Sequence, residues 1–224
     1  MGMEGAERQP PMLRRAEHSA AWDLIPDRPT LEAAGAAAAG CQACPLWKDA
    51  TQTVFGEGTA GSELMLVGEQ PGDREDIEGH PFVGPAGRLL DRALEEAGID
   101  RGKVYVTNVV KHFKFTRRGK RRIHKKPGAE EIAACYPWLR TELDLVKPQV
   151  LMALGATAAQ AIIGPTFRVS TQRGQLIKGS PLAPLVTATV HPSSILRAPD
   201  EEARHREMAQ FVADLKKVAA RLRN

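Results

Sequence analysis

Four short apolar runs constrain the fold more than any other feature of the chain: residues 63–67 (ELMLV), 103–110 (KVYVTNVV), 149–154 (QVLMAL) and 184–190 (PLVTATV). Past its first residue none of them holds a charge, so each reads as a strand covered on both faces. Stretches of helical period lie between and around them. These are 31–39, capped by Thr30 and stopped by Gly40; 87–97, with Leu89, Leu90, Ala93, Leu94 and Ala97 on one face; 128–145; 156–163; and 201–222. Doubly buried strands alternating with amphipathic helices call for a parallel sheet with helices on both sides. The expectation is an α/β fold: a three-layer α/β/α sandwich with a central, mostly parallel four-stranded sheet. Residues 175–177 read as a hairpin partner or short edge beside the last run. No repeat and no linker follows residue 30. Residues 30–224 are expected to form one domain, and the Pro-, Arg- and Ala-rich residues 1–29 a flexible N-terminal extension.

Composition narrows the class. A chain that is 42% hydrophobic and 26% charged is not disordered throughout. No apolar run is long enough to span a membrane, and the first thirty residues lack the pattern of a signal peptide. Three cysteines are too few, and of the wrong parity, for a disulfide framework. A cytoplasmic protein is expected. The net charge of +4 is unevenly placed. Segment 111–126 (KHFKFTRRGKRRIHKK) holds nine of the 31 lysines and arginines and none of the 27 acids, so the remainder is net acidic. Such a block is a solvated loop or an arm that meets polyanions. The interleaved Phe113 and Phe115, and the acidic remainder, favour a nucleic-acid contact.

In parallel α/β sheets ligands gather at the carboxyl ends of the strands, which singles out residues 69–73, 108–112, 155 and 191–194. The glycines of Gly68-Glu69-Gln70-Pro71-Gly72-Asp73 permit close approach of a ligand, but the loop lacks the length and the Lys-Ser/Thr of a phosphate-binding P-loop. Phe82, between Pro81 and Gly84, is either a lid over the core or a stacking platform. In His191-Pro-Ser-Ser, the competing structural role is a helix cap by Ser193 or Ser194 with His191 incidental. Cys41-x-x-Cys44 and the distant Cys135 need one more soft ligand to hold a metal; His112 is the first candidate and His124 the second. By count, three cysteines and a histidine suit zinc or an iron–sulfur cluster equally.

These motifs together resemble a known family. GEQPG, HPFVGPAGRLLD, VTNVVK, EEIAAC and HPSSILR occur in the order and spacing of the iron–sulfur (family 4) uracil-DNA glycosylases, over residues 41–197. The resemblance implies a 4Fe–4S cluster, with zinc as the alternative, and cleavage of the N-glycosidic bond of deoxyuridine. Three departures look like the UdgX group, whose members become covalently attached to the DNA they attack. His112 stands where a cluster cysteine is usual, Gln70 where alanine is usual, and the stretch before Cys135 is lengthened by a KRRIHK insertion. The implied metal set is Cys41, Cys44, His112 and Cys135. The implied nucleophile is His124.

On that resemblance, the catalytic residues are His124, Glu69 and His191. The base is held by Gln70, Gly72, Asp73, Phe82 and Asn108, whose amide matches the N3–H and O4 edge of uracil. DNA is met by Lys120, Arg121, Arg122, Lys125, Ser193, Ser194 and Arg197. The expected partner is uracil-containing DNA, single strands included, met by a monomer that associates with the nucleoid while bound. Two rival readings are a conventional multiple-turnover glycosylase and a non-catalytic nucleic-acid sensor.

Overall fold

The computed structural model describes residues 16–222. Its strands are β1 (Leu64–Gly68), β2 (Val104–Asn108), β3 (Phe115–Arg118), β4 (Arg121–His124), β5 (Val150–Leu154), β6 (Ile177–Lys178) and β7 (Leu185–Thr189). Its helices are α1 (Leu31–Ala38), α2 (Asp73–Glu78), α3 (Pro85–Ala97), α4 (Ala129–Val146), α5 (Ala156–Ile162), α6 (Val169–Gln172), α7 (Pro192–Leu196) and α8 (Glu201–Leu222). The central sheet runs β2-β1-β5-β7-β6. The four strands read from the apolar runs are its parallel part, paired so that Gly68 faces Asn108 and Leu154 faces Thr189. A fifth strand exceeds the expected four: β6, only two residues long, closes the edge antiparallel to β7.

Alternation along each strand sends side chains to opposite layers. Met65, Val67, Tyr105, Leu151 and Ala153 pack with Trp138, Leu139 and Leu143 of α4. Leu64, Leu66, Val106 and Met152 pack with Leu90 and Leu94 of α3 and Phe211 and Leu215 of α8. These are the two cores of a three-layer sandwich. Among the described residues no helix is long and apolar enough to cross a membrane.

Two expectations change. Residues 1–15 of the supposed extension lie outside the described residues, whereas those from 16 onward pack on the body. Ala21 is fully buried in the core, and the Ser19 hydroxyl donates to the carbonyl of Ala134 on α4 at 2.7 Å. The basic segment, expected to be a loop, is a β-hairpin, with Phe115 opposite His124 and a two-residue turn at Gly119-Lys120. Gly119 has φ +60°, the left-handed setting that the first position of a II′-type turn reserves for glycine.

Candidate active site

The carboxyl ends of β1, β2, β5 and β7 bring Glu69, Asn108, Gly155 and His191 to one rim of the sheet. Gly68 is the floor between them: a Cβ there would collide with the Asn108 amide oxygen and lie 3.0 Å from the Phe82 ring. Asn108 is 3% exposed. Phe82 is half-buried, packs on the α3 core, and stacks on His191 with ring centroids 6.1 Å apart and planes at 24°. The lid reading is met by that packing, and the ring's aromatic partner in the structure is His191. The Phe82 backbone is left-handed at φ 59°, a cost tolerated where the surroundings over-determine the conformation. Gly87 is one of those surroundings, because a Cβ at that position would overlap the Phe82 carbonyl.

His191 caps α7 with its own ring. Nδ1 accepts from the Ser193 N–H at 3.1 Å and meets the Ser193 hydroxyl at 2.8 Å. A backbone N–H pointed into Nδ1 leaves the ring proton on Nε2, so the free nitrogen is a donor. Burial, the largest influence, pushes the His191 imidazolium down to about 4; Glu69 opposes, while Arg197 and His124 act in the same direction as burial. The ring is therefore a neutral donor at ordinary pH. Ser193, expected on DNA, spends its polar atoms on this ring, and the Ser194 hydroxyl donates to the His191 carbonyl at 2.7 Å. Arg197 is exposed at the end of the same short helix.

Glu69 faces the hairpin. Its Oε1 lies 3.1 Å from Nε2 of His124, whose side chain is 51% exposed, and its Oε2 accepts from the Thr157 hydroxyl. Burial alone would raise the Glu69 carboxyl. The hydrogen bonds from His124 and Thr157, with the charges of His124 and His191, outweigh it and hold the group below the usual carboxylate range.

The hairpin is held at both ends by residues expected to do other work. Gln70 is buried, and its amide donates to the carbonyls of Lys114 (3.0 Å) and Lys125 (3.2 Å), while Lys114 N–H donates back to its oxygen (3.2 Å). The expected base contact is a clasp on the hairpin's feet. Arg122, expected on phosphate, donates from Nε to Asp73 and from Nη1 to the fully buried Asp76, each at 2.5 Å. Its guanidinium also lies 5.4 Å from the Phe113 ring and 5.1 Å from the Phe115 ring. Asp73, expected on the base, is the other half of that bolt. Gly72 caps α2, and a Cβ there would press on the Glu75 carboxylate, which itself accepts from Gly84 N–H at 2.9 Å. Lys120 at the turn, Arg121 and Lys125 are exposed.

Of the four expected metal ligands, the three cysteines lie near one another, since Cys41 acts on the Cys44 thiol and both act on that of Cys135, and the N–H of Lys111, the residue before His112, donates to Cys135 Sγ at 3.1 Å. Cys41 and Cys135 are buried and Cys44 half-buried, all three as free thiols. Burial pushes the Cys135 thiol up to about 12, against the charge and backbone N–H of Lys111. His112 is 4% exposed; its Nε2 meets the Thr53 hydroxyl at 2.9 Å, and its Nδ1 is buried with no hydrogen-bond partner among the described residues. An orphaned, buried imidazole nitrogen and three soft thiols are donors of a kind that suits a metal group. Among the described residues, no three His, Cys, Asp or Glu side chains converge on a single-ion site. A cluster takes one ligand per iron, so its ligands need not converge on one point.

Residues 55–216 match the model of the uracil DNA glycosylase superfamily. The chain belongs to the uracil-DNA glycosylase superfamily. It is 40% identical to a type-4 uracil-DNA glycosylase of Thermotoga maritima over 168 residues, 73% of this chain and 82% of the relative. Over 166 residues it is 37% identical to the type-4 enzyme of Pyrobaculum aerophilum (71% and 81%), and over 186 residues 34% identical to that of Archaeoglobus fulgidus (80% and 86%).

Within this superfamily member, three features of the site escaped the sequence reading. Thr157 touches Glu69 directly and lies two residues beyond Gly155, a strand-end residue already singled out; following that turn into the helix would have reached it. Gln70 and the Asp73–Asp76 pair act on the hairpin from more than forty residues away, a coupling no local pattern carries. Lys111 and Glu142 form a fully buried ion pair at 2.5 Å, and the Lys111 ammonium also donates to the Asn108 carbonyl at 2.8 Å.

Proposed function

We propose that this protein excises uracil from DNA, and that His124 then captures the sugar. The observation that carries excision is the neutral His191 donor set beside Phe82 and Asn108 at the strand ends; similarity to enzymes named type-4 uracil-DNA glycosylases supports it. A base within a duplex is out of reach, so the nucleotide is flipped or taken from a single strand. Asn108 pairs with N3–H and O4 of uracil, and cytosine, with the opposite polarity, leaves buried groups unpaired. As the bond from C1′ to N1 breaks, its electron pair passes to uracil, and Nε2–H of His191 donates to O2, where that charge collects.

The names of the relatives favour completion by water. The observation that favours capture is the 3.1 Å approach of His124 to Glu69. With Nε2–H held by the carboxylate, the lone pair lies on Nδ1. It forms a bond to the electrophilic C1′, and Glu69 offsets the charge of the resulting imidazolium. N-alkylated imidazolium leaves poorly, so the product persists as a protein–DNA adduct. A uracil-containing oligonucleotide tests both parts: free uracil reports excision, and a band of protein plus DNA on a denaturing gel reports capture.

Cys41, Cys44, Cys135 and His112 would hold a 4Fe–4S cluster, with zinc as the alternative. Iron and sulfide analysis of the purified protein separates the two. A bound cluster would supply a redox-capable centre. The chain's own contribution there is mechanical, because His112 precedes the hairpin and Cys135 lies on the helix that follows it.

DNA contact falls to fewer cations than the charge count indicates. Lys111, Lys114 and Arg122 are spent on Glu142, Glu131 and the Asp73–Asp76 pair. Arg117, Arg118, Lys120, Arg121, Lys125 and Lys126 have no ion pair among the described residues and are free to meet phosphate. Each phosphate neutralised on a single strand contributes about 0.7 to the slope of log affinity against log salt. Replacing Arg118, Lys120 and Arg121 together by Gln should flatten that slope by about 2, measured by anisotropy on a uracil-free oligonucleotide. Arg122→Gln should leave the slope unchanged; an equal flattening there would show that Arg122 meets DNA after all.

A further inference from the structure

We propose that Thr157 is a positioning residue that fixes the rotamer of Glu69, turning one carboxylate oxygen toward His124. This rests on the role given to Glu69 above.

The two oxygens of Glu69 have different partners. Oε2 accepts from the Thr157 hydroxyl, which belongs to the body of the protein, while Oε1 meets His124 on the exposed hairpin. Thr157 is 6% exposed, whereas the His124 side chain is 51% exposed. The fixed end of the arrangement is therefore Thr157. Its own position is set by the turn leaving β5. Gly155, at φ +93°, donates its N–H to the Thr189 carbonyl at 2.8 Å, and its carbonyl accepts from Ala159 N–H at 3.0 Å to begin α5. A Cβ on Gly155 would lie 3.0 Å from that of His191. One turn thus supports both the residue that acts on the leaving base and the residue that acts at the sugar. Packing does not call for the hydroxyl, because valine has the same shape. Nor does helix propensity, since threonine is a mediocre helix former. The contact that does use it is the one to Glu69.

Thr157→Val keeps the shape and removes the donor; Thr157→Ser keeps the donor and removes the methyl. In single-turnover reactions with a uracil oligonucleotide, Thr157→Val should slow adduct formation by about 10–100-fold, the effect of losing a hydrogen bond to a charged group. The yield of adduct per uracil released should also fall, because water reaches C1′ when Glu69 no longer aligns the imidazole. Thr157→Ser should recover both to within about threefold, and thermal unfolding should show both variants folded at the assay temperature, with Val lowered by no more than the one hydrogen bond it loses. A Val variant with the parent's rate and yield overturns the proposal, as does a Ser variant as deficient as Val. Should Val fail to fold, Thr157→Ala takes its place, and equal behaviour of Ala and Ser overturns the proposal. If the parent releases uracil without any adduct, capture by His124 fails while this proposal stands to its own test. The same Val and Ser contrast is then read from the excision rate, because Glu69 would orient the attacking water instead.

Discussion

His124→Gly should eliminate the denaturant-stable complex with uracil-containing DNA and leave uracil release within about tenfold of the parent. Groups acting on the leaving base account for most of the barrier lowering in such a site, and none of them is removed. Asn108 and His191 are carried by the ends of β2 and β7 rather than by the hairpin. Glycine at 124 opens a space beside Glu69 that a water can fill, so the variant should behave as an ordinary multiple-turnover enzyme. The hairpin should survive the change, since glycine within a strand costs only about 0.5–1 kcal/mol. Gln70 still clasps its feet, and Arg122 still bolts β4 to Asp73 and Asp76. His124→Ser makes the same test with a smaller backbone penalty. Quantifying released uracil and shifted protein in the same reactions checks both halves of the expectation.

Loss of the leaving-group donor should have the opposite signature, with excision and adduct failing together. His191→Ala should reduce single-turnover excision by about 10²–10³, as removal of an oxyanion donor does. Asn108→Asp reverses part of the hydrogen-bond polarity toward the base and should depress activity on uracil by a factor of similar or larger size. The pH profile of uracil release belongs to the same argument. Because burial holds the His191 imidazolium near 4, the ring is a neutral donor throughout the range where an exposed histidine would be gaining its proton. Glu69, held below its ordinary value, stays ionised there too. Release should therefore hold steady from pH 7.5 to about 5.5 and decline only toward about 4, rather than with the midpoint near 6.5 of an unperturbed imidazole. Near-normal rates in both variants would place the pocket elsewhere.

The layers of the fold were legible because their signal is local. Leu64 to Val67 and Val150 to Leu154 are apolar on both faces, and that pattern has few alternatives to a covered parallel strand. The rim of the site was legible for the same reason: once the strands are placed, Glu69, Asn108 and His191 fall at their ends. The hairpin was not legible. Thr116, Arg117, Arg118, Arg121 and Arg122 have no apolar alternation to mark strands, and what holds them in register is Gln70, Asp73 and Asp76, distant in sequence. Charge counting shared that blindness. It treated Arg122 as equivalent to Arg121, although one is tied to two carboxylates and the other faces solvent. Ser193 and Ser194 read as caps or DNA contacts, whereas the cap is the imidazole of His191 itself. The short β6 edge was ambiguous because two residues carry no period.

Peptide mass mapping of the complex trapped on a uracil-containing oligonucleotide, digested with nuclease and protease, tests the central assignment most directly. The added sugar mass should lie on His124, on the peptide that carries the end of β4, and uracil should be absent from the adduct. A nucleotide mass on any other residue, or a His124→Ala protein that still forms a denaturant-stable complex, would contradict that assignment.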